Sequence, residues 1–330
     1  MLNYVIRRLF YMVPIIFCVM VITFFLFFGL VNVETMARTQ LPPRASQAAI
    51  ENWLHQRHYD KPLYLNMPGV QRYQAGQPFY DSLFFANIYD LATFNFGDSL
   101  ATNRHIVTMF KEGAIPSLLV TAPAFFLSLV LAVSFSLFLV YVRASKLDAV
   151  GTIFCVMLMS IPVIVYVIIC QWVLGNLLRY FPAYGFSLHG FDAARFLALP
   201  IAVLILNELG SDTRLYRAIF LEEVRADYVR TASAKGLSPQ VALFKHVLKN
   251  GMINIITLTV AALPTLILGT LVLEDFFGIP GLGSLSLTSI RTTDYTVVRA
   301  VTYAGSLLYL LGLLLTDICY ALVDPRIKLK

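Results

Sequence analysis

Long apolar runs constrain the fold of this chain more than any other feature of its sequence. Six runs have about 18 or more residues, the length at which a helix can cross the hydrocarbon core of a bilayer. They lie at about 9–31, 117–142, 149–176, 196–219, 252–277 and 299–323. Only 13% of the residues are charged, roughly half the fraction typical of a soluble domain. The sequence therefore predicts an all-α polytopic membrane protein with six transmembrane helices.

Basic residues predict the orientation of these helices. If the N-terminus lies in the cytoplasm, the inner segments carry Arg7, Arg8, Arg143, Lys146, seven Lys and Arg residues within 214–249, and Arg326, Lys328 and Lys330. The two short outer connections carry only Arg179, Arg195, Arg291 and Arg299. This bias matches the positive-inside rule. Both termini are therefore expected in the cytoplasm, and the net charge of +6 reflects topology rather than nucleic-acid binding.

The positions of the runs divide the chain into three parts. Residues 1–31 are expected to be an N-terminal transmembrane anchor, because the apolar run is too long for a signal peptide and no small-residue cleavage site follows it. Residues 32–116 are expected to be an extracytoplasmic segment with short helices lying at the membrane surface. Residues 117–330 are expected to form a five-helix core with a charged cytoplasmic loop at 222–250.

The cysteines and histidines predict neither disulfides nor a bound metal. The four cysteines, Cys18, Cys155, Cys170 and Cys319, all fall inside apolar runs, and no Cys-x-x-Cys spacing occurs. His55, His58 and Asp60 could be interpreted as a metal site, but their spacing fits no standard ligand set. The alternative is that they are exposed polar residues of a loop.

The charged loop predicts a helix, a short break and a second helix. Residues 222–235 contain neither Pro nor Gly, begin with acidic residues and end with Lys235, as the helix dipole favours. Gly236 can adopt the left-handed conformation that ends a helix. Ser238 is a suitable N-cap for the next helix, and Pro239 is a suitable first helical residue. A short amphipathic helix held between two membrane spans indicates a docking element.

Three stretches of this loop, 227–232, 234–237 and 246–250, resemble the cytoplasmic loop of ABC-importer permeases that carries a Glu-Ala-Ala signature. The signature positions read Arg230-Thr231-Ala232 in this chain, and Gly236 supplies the glycine that follows them. This departure is typical of the peptide/nickel branch, and the chain is similar to the first, B-type, permease of that branch. Further stretches similar to the family lie at 60–63, 96–99, 160–162, 181–183, 273–283 and 320–327.

The resemblance implies a type I ABC importer permease fold and roles for individual residues. The implied ATPase-coupling residues are Asp227, Tyr228, Arg230, Thr231, Ala232, Ala234, Lys235, Gly236 and Leu237. The implied outer-face motif contains Glu274, Pro280, Gly281 and Gly283, whose glycines and proline force a compact turn. One departure is Asn254, where the family often has a proline, so a straighter start of the fifth span is expected.

The resemblance also implies partners and a substrate class. The expected partners are a second permease subunit, two cytoplasmic ABC ATPase subunits and an extracytoplasmic substrate-binding protein, assembled in the bacterial inner membrane. The chain itself is expected to bind no cofactor, with ATP and Mg held by the ATPase subunits. Peptides are the expected substrates, and nickel, glutathione and oligosaccharides are the alternatives.

Four residues are candidates for lining a translocation path. Ser160 and Pro162 lie in the middle of the third span, where the missing N–H of the proline bends a helix. Glu208 and Asp212 place carboxylates in the fourth span, where charges normally face the bundle interior or a water-filled cavity. They could meet a peptide amine or a cationic substrate. Alternatively, they could pair with another helix or subunit, or lie closer to the headgroups.

Two other classes of function compete with a transport subunit. A membrane-embedded hydrolase is disfavoured, because the sequence contains neither a Gly-x-Ser-x-Gly elbow nor a His-Glu-x-x-His motif. A receptor or channel is disfavoured, because no pore repeat or folded ligand domain is evident. The sequence also has no Gly-x-x-x-x-Gly-Lys-Ser/Thr phosphate loop, so an ATP-driven process would need its ATPase on a separate protein.

Overall fold

The computed structural model describes residues 2–188 and 190–323, and their regular secondary structure is helical. The helices are α1 Leu2–Phe24, α2 Val33–Gln40, α3 Gln47–Gln56, α4 Leu83–Ala92, α5 Ile106–Tyr141, α6 Lys146–Ser160, α7 Val163–Cys170, α8 Gly190–Val224, α9 Asp227–Ala234, α10 Pro239–Ala242, α11 Leu248–Ala262, α12 Leu271–Phe277, α13 Leu282–Arg291 and α14 Tyr295–Val323. Residues 324–327 of the family-like C-terminus and the basic residues after them lie outside the described residues.

Among the described residues, four stretches are long and apolar enough to cross a membrane as single helices: Ile6–Gly29, Ile106–Tyr141, Asp192–Val224 and Tyr295–Cys319. Two bent helix pairs, Lys146–Ser160 with Val163–Leu177 and Pro239–Ala262 with Leu266–Phe277, raise the number to six when each pair counts as one span. These six stretches coincide with the six apolar runs. The all-α polytopic fold class is therefore confirmed.

Two predicted helix positions need correction. The second span was expected to start near Pro116, but α5 begins at Ile106 and contains both Pro116 and Pro123. The third span was expected to be one helix bent by Pro162, but the axes of its two parts differ by 92°. Ile161 has an extended conformation (φ −95°, ψ 120°), because a proline disfavours the helical conformation in the residue before it.

The chain divides into two compact units, and within its described residues the first comprises 2–112 and 285–314. Its residues between α1 and α5 contain the short helices α2, α3 and α4. Asp294 ties this unit together, because its buried carboxylate accepts hydrogen bonds from Ser99 Oγ at 2.5 Å and from the backbone N–H of Leu100 at 3.1 Å and Ala101 at 3.2 Å. It also accepts from Val297 N at 3.3 Å at the start of α14.

The second unit comprises 113–284 and 315–323 of the described residues and is built on close contact between helices. A Cβ atom at Gly210 of α8 would lie 2.6 Å from the carbonyl oxygen of Cys155 in α6. Arg217 of α8 binds Asp148 of α6 through hydrogen bonds of 2.8 and 2.9 Å. These contacts fix α8, which carries the candidate path acids, against the helix that precedes the 92° break.

Candidate functional site

The charged loop at 222–250, called the coupling segment below, contains one more helix boundary than the sequence predicted. Residues 222–235 were expected to form one helix, but α8 continues only to Val224 and α9 begins at Asp227. Ala226 between them is extended (φ −67°, ψ 148°). Because residues 222–235 contain no Pro or Gly, local sequence gave no signal for this break. Packing of α9 overrides helix propensity at this point.

The turn that ends α9 has the predicted geometry. Gly236 has φ +86°, and the N–H groups of Gly236 and Leu237 donate to the carbonyl oxygens of Ser233 at 3.0 Å and Ala232 at 3.3 Å. This is the hydrogen-bond pattern of a Schellman motif, which satisfies the last carbonyls of the helix. Ser238 then caps the next helix, and Pro239 is its first residue. The helix, glycine break and second helix are confirmed.

Helix α9 has one apolar face and one polar face. Val229 and Ala232 are both buried, and Val229 belongs to a cluster that also contains Tyr216 and Phe220 of α8 and Val247. The remaining coupling residues lie outside this core, and those that are exposed are Asp227, Tyr228, Arg230, Thr231, Ala234, Lys235 and Gly236. The apolar face therefore fixes α9 on the chain's own core, and the polar face is available to another protein.

A hydrogen bond ties α9 to the end of α8. The Tyr228 hydroxyl donates to the Glu223 carboxylate across the turn at Ala226. Burial, followed by this hydrogen bond, raises the pKa of Tyr228 to about 12. The phenol is therefore neutral and able to donate at physiological pH.

Both neighbours of α9 are long continuous helices. Helix α8 has 35 residues, and from Pro239 the chain stays helical through α10, the π-helix Leu243–Val247 and α11 to Ala262. The helix predicted to start at Pro239 therefore continues without a break into the fifth span, whose apolar run begins near residue 252. This continuity means that α9 is joined to the fourth and fifth spans by only short turns.

A groove of about 580 Å³ runs beside α9. Its walls combine the apolar side chains of Val229 and Val247 with three arginines, Arg143, Arg225 and Arg230. Arg230 also lies 3.6 Å from Asp227, a contact between two largely exposed side chains that contributes little to stability. The groove is basic, and it adjoins the exposed face of α9.

The outer-face motif is organised around a buried carboxylate. Glu274 has no solvent exposure, and its Oε1 accepts from Ser117 Oγ at 2.8 Å and Thr270 N at 3.2 Å. Its Oε2 accepts from Ser284 N at 3.1 Å. Ser117 Oγ in turn accepts from Leu282 N at 2.8 Å. The Glu274 carboxylate is therefore held by Ser117 of α5, by Thr270 and by Ser284 of α13.

The glycines of this motif are required by close packing. A Cβ atom at Gly281 would lie 2.3 Å from Glu274 Oε2, and one at Gly283 would lie 2.7 Å from the backbone of Thr270. Pro280 is exposed beside them. Sequence reasoning missed Ser117, because it lies 157 residues away from Glu274 and carries no motif.

The four candidate path residues lie on neighbouring helices but form no single cluster. Ser160 and Pro162 flank the break between α6 and α7 and are exposed, and Ser160 Oγ donates to its own helix at Val156 O. Glu208 is exposed and accepts a 2.9 Å hydrogen bond from Asn207, whereas Asp212 is half-buried one turn later on α8. Within the described residues, no basic side chain lies within 4 Å of either carboxylate.

The histidines of the outer segment separate in the structure. His55 Nε2 lies 4.0 Å from Asp60 Oδ2. His58 has φ +57° and instead lines a polar cavity of the first unit. Among the described residues, no group of three His, Cys, Asp or Glu side chains could hold a metal ion. The polar cavity contains Arg299, a buried arginine that sequence reasoning placed only in an outer connection.

Comparison with known proteins identifies relatives over the whole length of the chain. The family model described as "Binding-protein-dependent transport system inner membrane component" matches residues 124–329, which include the coupling segment, the path candidates and Glu274. The oligopeptide transport system permease protein AppB of Bacillus subtilis is 29% identical over 99% of this chain and all of its own length. The dipeptide transport system permease protein DppB of the same organism is 32% identical over 76% of this chain and 80% of its own length. The oligopeptide transport system permease protein OppB of Escherichia coli is 26% identical over 99% of this chain and all of its own length.

Proposed function

Because this chain belongs to the family of binding-protein-dependent transport system inner membrane components, it is a multi-pass permease subunit of an importer, and we propose that it carries peptides. The support is that relatives aligned over nearly its whole length are named oligopeptide and dipeptide permeases. The family is one of membrane transport components, and the chain is not an enzyme. In this proposal the chain forms one half of the translocation pathway.

The proposed partners follow from what the chain lacks and from what it exposes. It has no phosphate loop of its own, so two cytoplasmic ATPase subunits would supply the energy and hold ATP and Mg. A second permease subunit would complete the pathway, and an extracytoplasmic binding protein would deliver the peptide. The excess of Lys and Arg around 214–249 supports a cytoplasmic position for α9 and for both termini.

The geometry of α9 is the observation that carries the coupling mechanism. Its apolar face is fixed by Val229 and Ala232, while Asp227, Arg230 and Lys235 remain exposed. A partner that binds the exposed face and moves would displace α9 together with the ends of α8 and of the helix that starts at Pro239. The fourth and fifth spans would then move as rigid bodies, which is a common mode of alternating access.

Gly236→Val tests this mechanism. A β-branched residue at φ +86° is strained by on the order of 1 kcal/mol or more, although a Cβ atom there would contact nothing within 4 Å. The angle between α9 and the following helix should change, and peptide-stimulated ATP hydrolysis and uptake should fall in the reconstituted complex. Gly76→Val is a matched control, because Gly76 also has φ +86° and also has nothing within 4 Å. Equal uptake by both variants would refute the coupling role of this turn.

The peptide assignment needs a separate experiment. The complex is purified with the binding protein that accompanies it, reconstituted in liposomes, and supplied with labelled dipeptides, tripeptides, glutathione, an oligosaccharide or nickel. Stimulation of ATP hydrolysis and accumulation of the label are measured for each. We expect both signals with the peptides. Signals with nickel, glutathione or the oligosaccharide alone would leave the permease assignment standing but exclude peptides as the substrate.

The orientation is tested with single cysteines at exposed positions. Ser238→Cys lies in the turn after α9, and Gln77→Cys lies in the outer segment. In intact cells, a membrane-impermeant maleimide should label position 77 and leave position 238 unlabelled until the membrane is opened. Labelling of position 238 in intact cells would place α9 outside and contradict the proposal.

A further inference from the structure

A polar cavity in the first unit has no role in the function proposed above. It has a volume of about 460 Å³. Its lining is rich in polar and charged groups, among them Arg57, Tyr59, Asp90, Asp98, Thr296 and Arg299. All of these residues belong to the outer segment or to the first turns of α14. A cavity with such a lining can take a small charged ligand.

Arg299 is the unusual group in this cavity. Its side chain is only 6% exposed, and its Nε is buried with no hydrogen-bond partner among the described residues. Its Nη1 donates to Asn87 Oδ1 at 2.7 Å, and its guanidinium lies 5.6 Å from the centre of the Phe28 ring. These two contacts hold the group in place. They leave the remaining N–H donors of the guanidinium for another molecule.

The charge of Arg299 is not balanced by a contact ion pair. Within the described residues, no carboxylate oxygen lies within 4 Å of its guanidinium. An arginine keeps its positive charge in proteins, so this cost persists. A buried cation without a paired anion is unfavourable. An anion that enters the cavity would remove that cost.

The neighbours of Arg299 show which charged groups act at the cavity. Burial raises the pKa of Asp90, and Arg299 opposes that rise. Burial also raises the pKa of Tyr59, and Arg299 and Arg57 oppose that rise as well. Asp98, the other acid in the lining, is engaged by His105 Nδ1 at 2.5 Å. The lining therefore combines two arginines, Arg57 and Arg299, with Asp90 and Asp98, and Asp98 has His105 as a partner of its own.

We propose that this cavity is a binding site for a small carboxylate, with Arg299 as the residue that anchors it. The planar guanidinium matches a carboxylate because it can donate two parallel hydrogen bonds. Two sources share this chemistry, a free small carboxylate and the C-terminal carboxylate of a short peptide. The inference does not depend on the substrate of the importer, since it rests on the cavity alone.

Direct binding measurements on the full-length chain test the proposal. The chain is purified in lipid nanodiscs with the subunits that accompany it and titrated with three probes: acetate, alanyl-alanine and alanyl-alanine amide. We expect saturable binding of a carboxylate probe below about 10 mM, a range that includes millimolar dissociation constants. Binding of acetate identifies a free carboxylate as sufficient, whereas binding of the dipeptide without acetate identifies a peptide terminus. The proposal would be overturned if neither carboxylate bound saturably, or if the amide bound as tightly as the dipeptide. Ordered water would then be the partner of Arg299.

Variants locate the binding to this cavity. Arg299→Lys keeps the charge but loses the planar fork, and it should weaken carboxylate binding by about tenfold, as expected for one charge-assisted hydrogen bond. Asp90→Asn removes the competing negative charge without altering Arg299, so it should strengthen binding several-fold. Arg44→Gln is the control, because Arg44 is an exposed arginine of the same segment outside the cavity lining. Unchanged affinity in both Arg299→Lys and Asp90→Asn would exclude this site, even where the importer remains fully active.

Discussion

Replacing Glu274 by glutamine changes one oxygen of a fully buried carboxylate into an NH₂ group. The donors that bind this carboxylate include Ser117 Oγ and Thr270 N on Oε1, and Ser284 N on Oε2. A glutamine can accept at only one end. Whichever end carries the NH₂ group, one backbone N–H, from Thr270 or Ser284, then faces another donor.

The cost can be worked out from these contacts. A buried donor left without an acceptor costs about 1–3 kcal/mol, and the remaining bonds lose the strengthening that a charged acceptor gives, about 1 kcal/mol more. Part of this is offset because a neutral amide is less costly to bury than a carboxylate. The expected net loss of unfolding free energy is therefore about 1–3 kcal/mol. For a unit of this size it corresponds to a lower melting temperature, on the order of 5–10 °C.

Thermal unfolding of the purified protein in detergent, followed by circular dichroism, measures this loss. Glu51→Gln is the control, because Glu51 is exposed on α3 and the same substitution there should change stability by less than about 0.5 kcal/mol. Gly281→Ala supplies a second test, since its Cβ atom would lie 2.3 Å from Glu274 Oε2. Gly281→Ala should lower the free energy of unfolding less in a Glu274→Ala background than in the wild type, because the effects of neighbouring substitutions are not additive. An unchanged melting temperature for Glu274→Gln, together with strict additivity of the pair, would refute the buried-carboxylate explanation of the motif.

Three further predictions concern other contacts. Asp294→Asn should remove the acceptor that holds Ala101 N and lower the free energy of unfolding by about 1–3 kcal/mol. Limited digestion should then cleave the loop at 93–103 faster than in the wild type, and an equal digestion rate would contradict the prediction. Arg217→Ala should lower the free energy of unfolding by about 2–4 kcal/mol, because it leaves the largely buried Asp148 without its cation. Thermal unfolding measures this loss, and a normal melting temperature would show that the pair is dispensable. The neutral phenol of Tyr228 should contribute stability that is complete below pH 10 and lost as the pH rises through about 12, because its folded pKa lies above the ordinary value of 10.0 for a tyrosine. A difference ultraviolet titration of wild type against Tyr228→Phe measures this ionisation, and a phenol that titrates at its ordinary pKa would refute the assignment.

The coupling segment shows how far local sequence rules reach. Gly236, Ser238 and Pro239 were placed correctly, because a positive φ, an N-cap and a first helical proline are each properties of single residues. The break at Ala226 was missed for the same reason. No residue there disfavours a helix, and the chain leaves the axis of α8 where Val229 packs against Tyr216 and Phe220 of α8 and against Val247.

The path candidates show a different limit. The acids Glu208 and Asp212 were found from composition, because carboxylates inside an apolar run stand out in any hydropathy reading. Whether they line a path depends on what faces them, and on α8 one is exposed and the other half-buried. Their role stays a prediction, since the surface that they present would be completed by a second subunit.

The sequence by itself determined the membrane class, the positions of the spans, the glycine turn after α9 and the family, because each depends on runs of residues or on signatures that are continuous along the chain. Only the tertiary structure decided which polar groups are buried together. Ser117 and Glu274 are 157 residues apart, Ser99 and Asp294 are 195 apart, and Asn87 and Arg299 are 212 apart. Buried polar groups must find partners wherever the fold brings them close, and no spacing along the chain records that proximity.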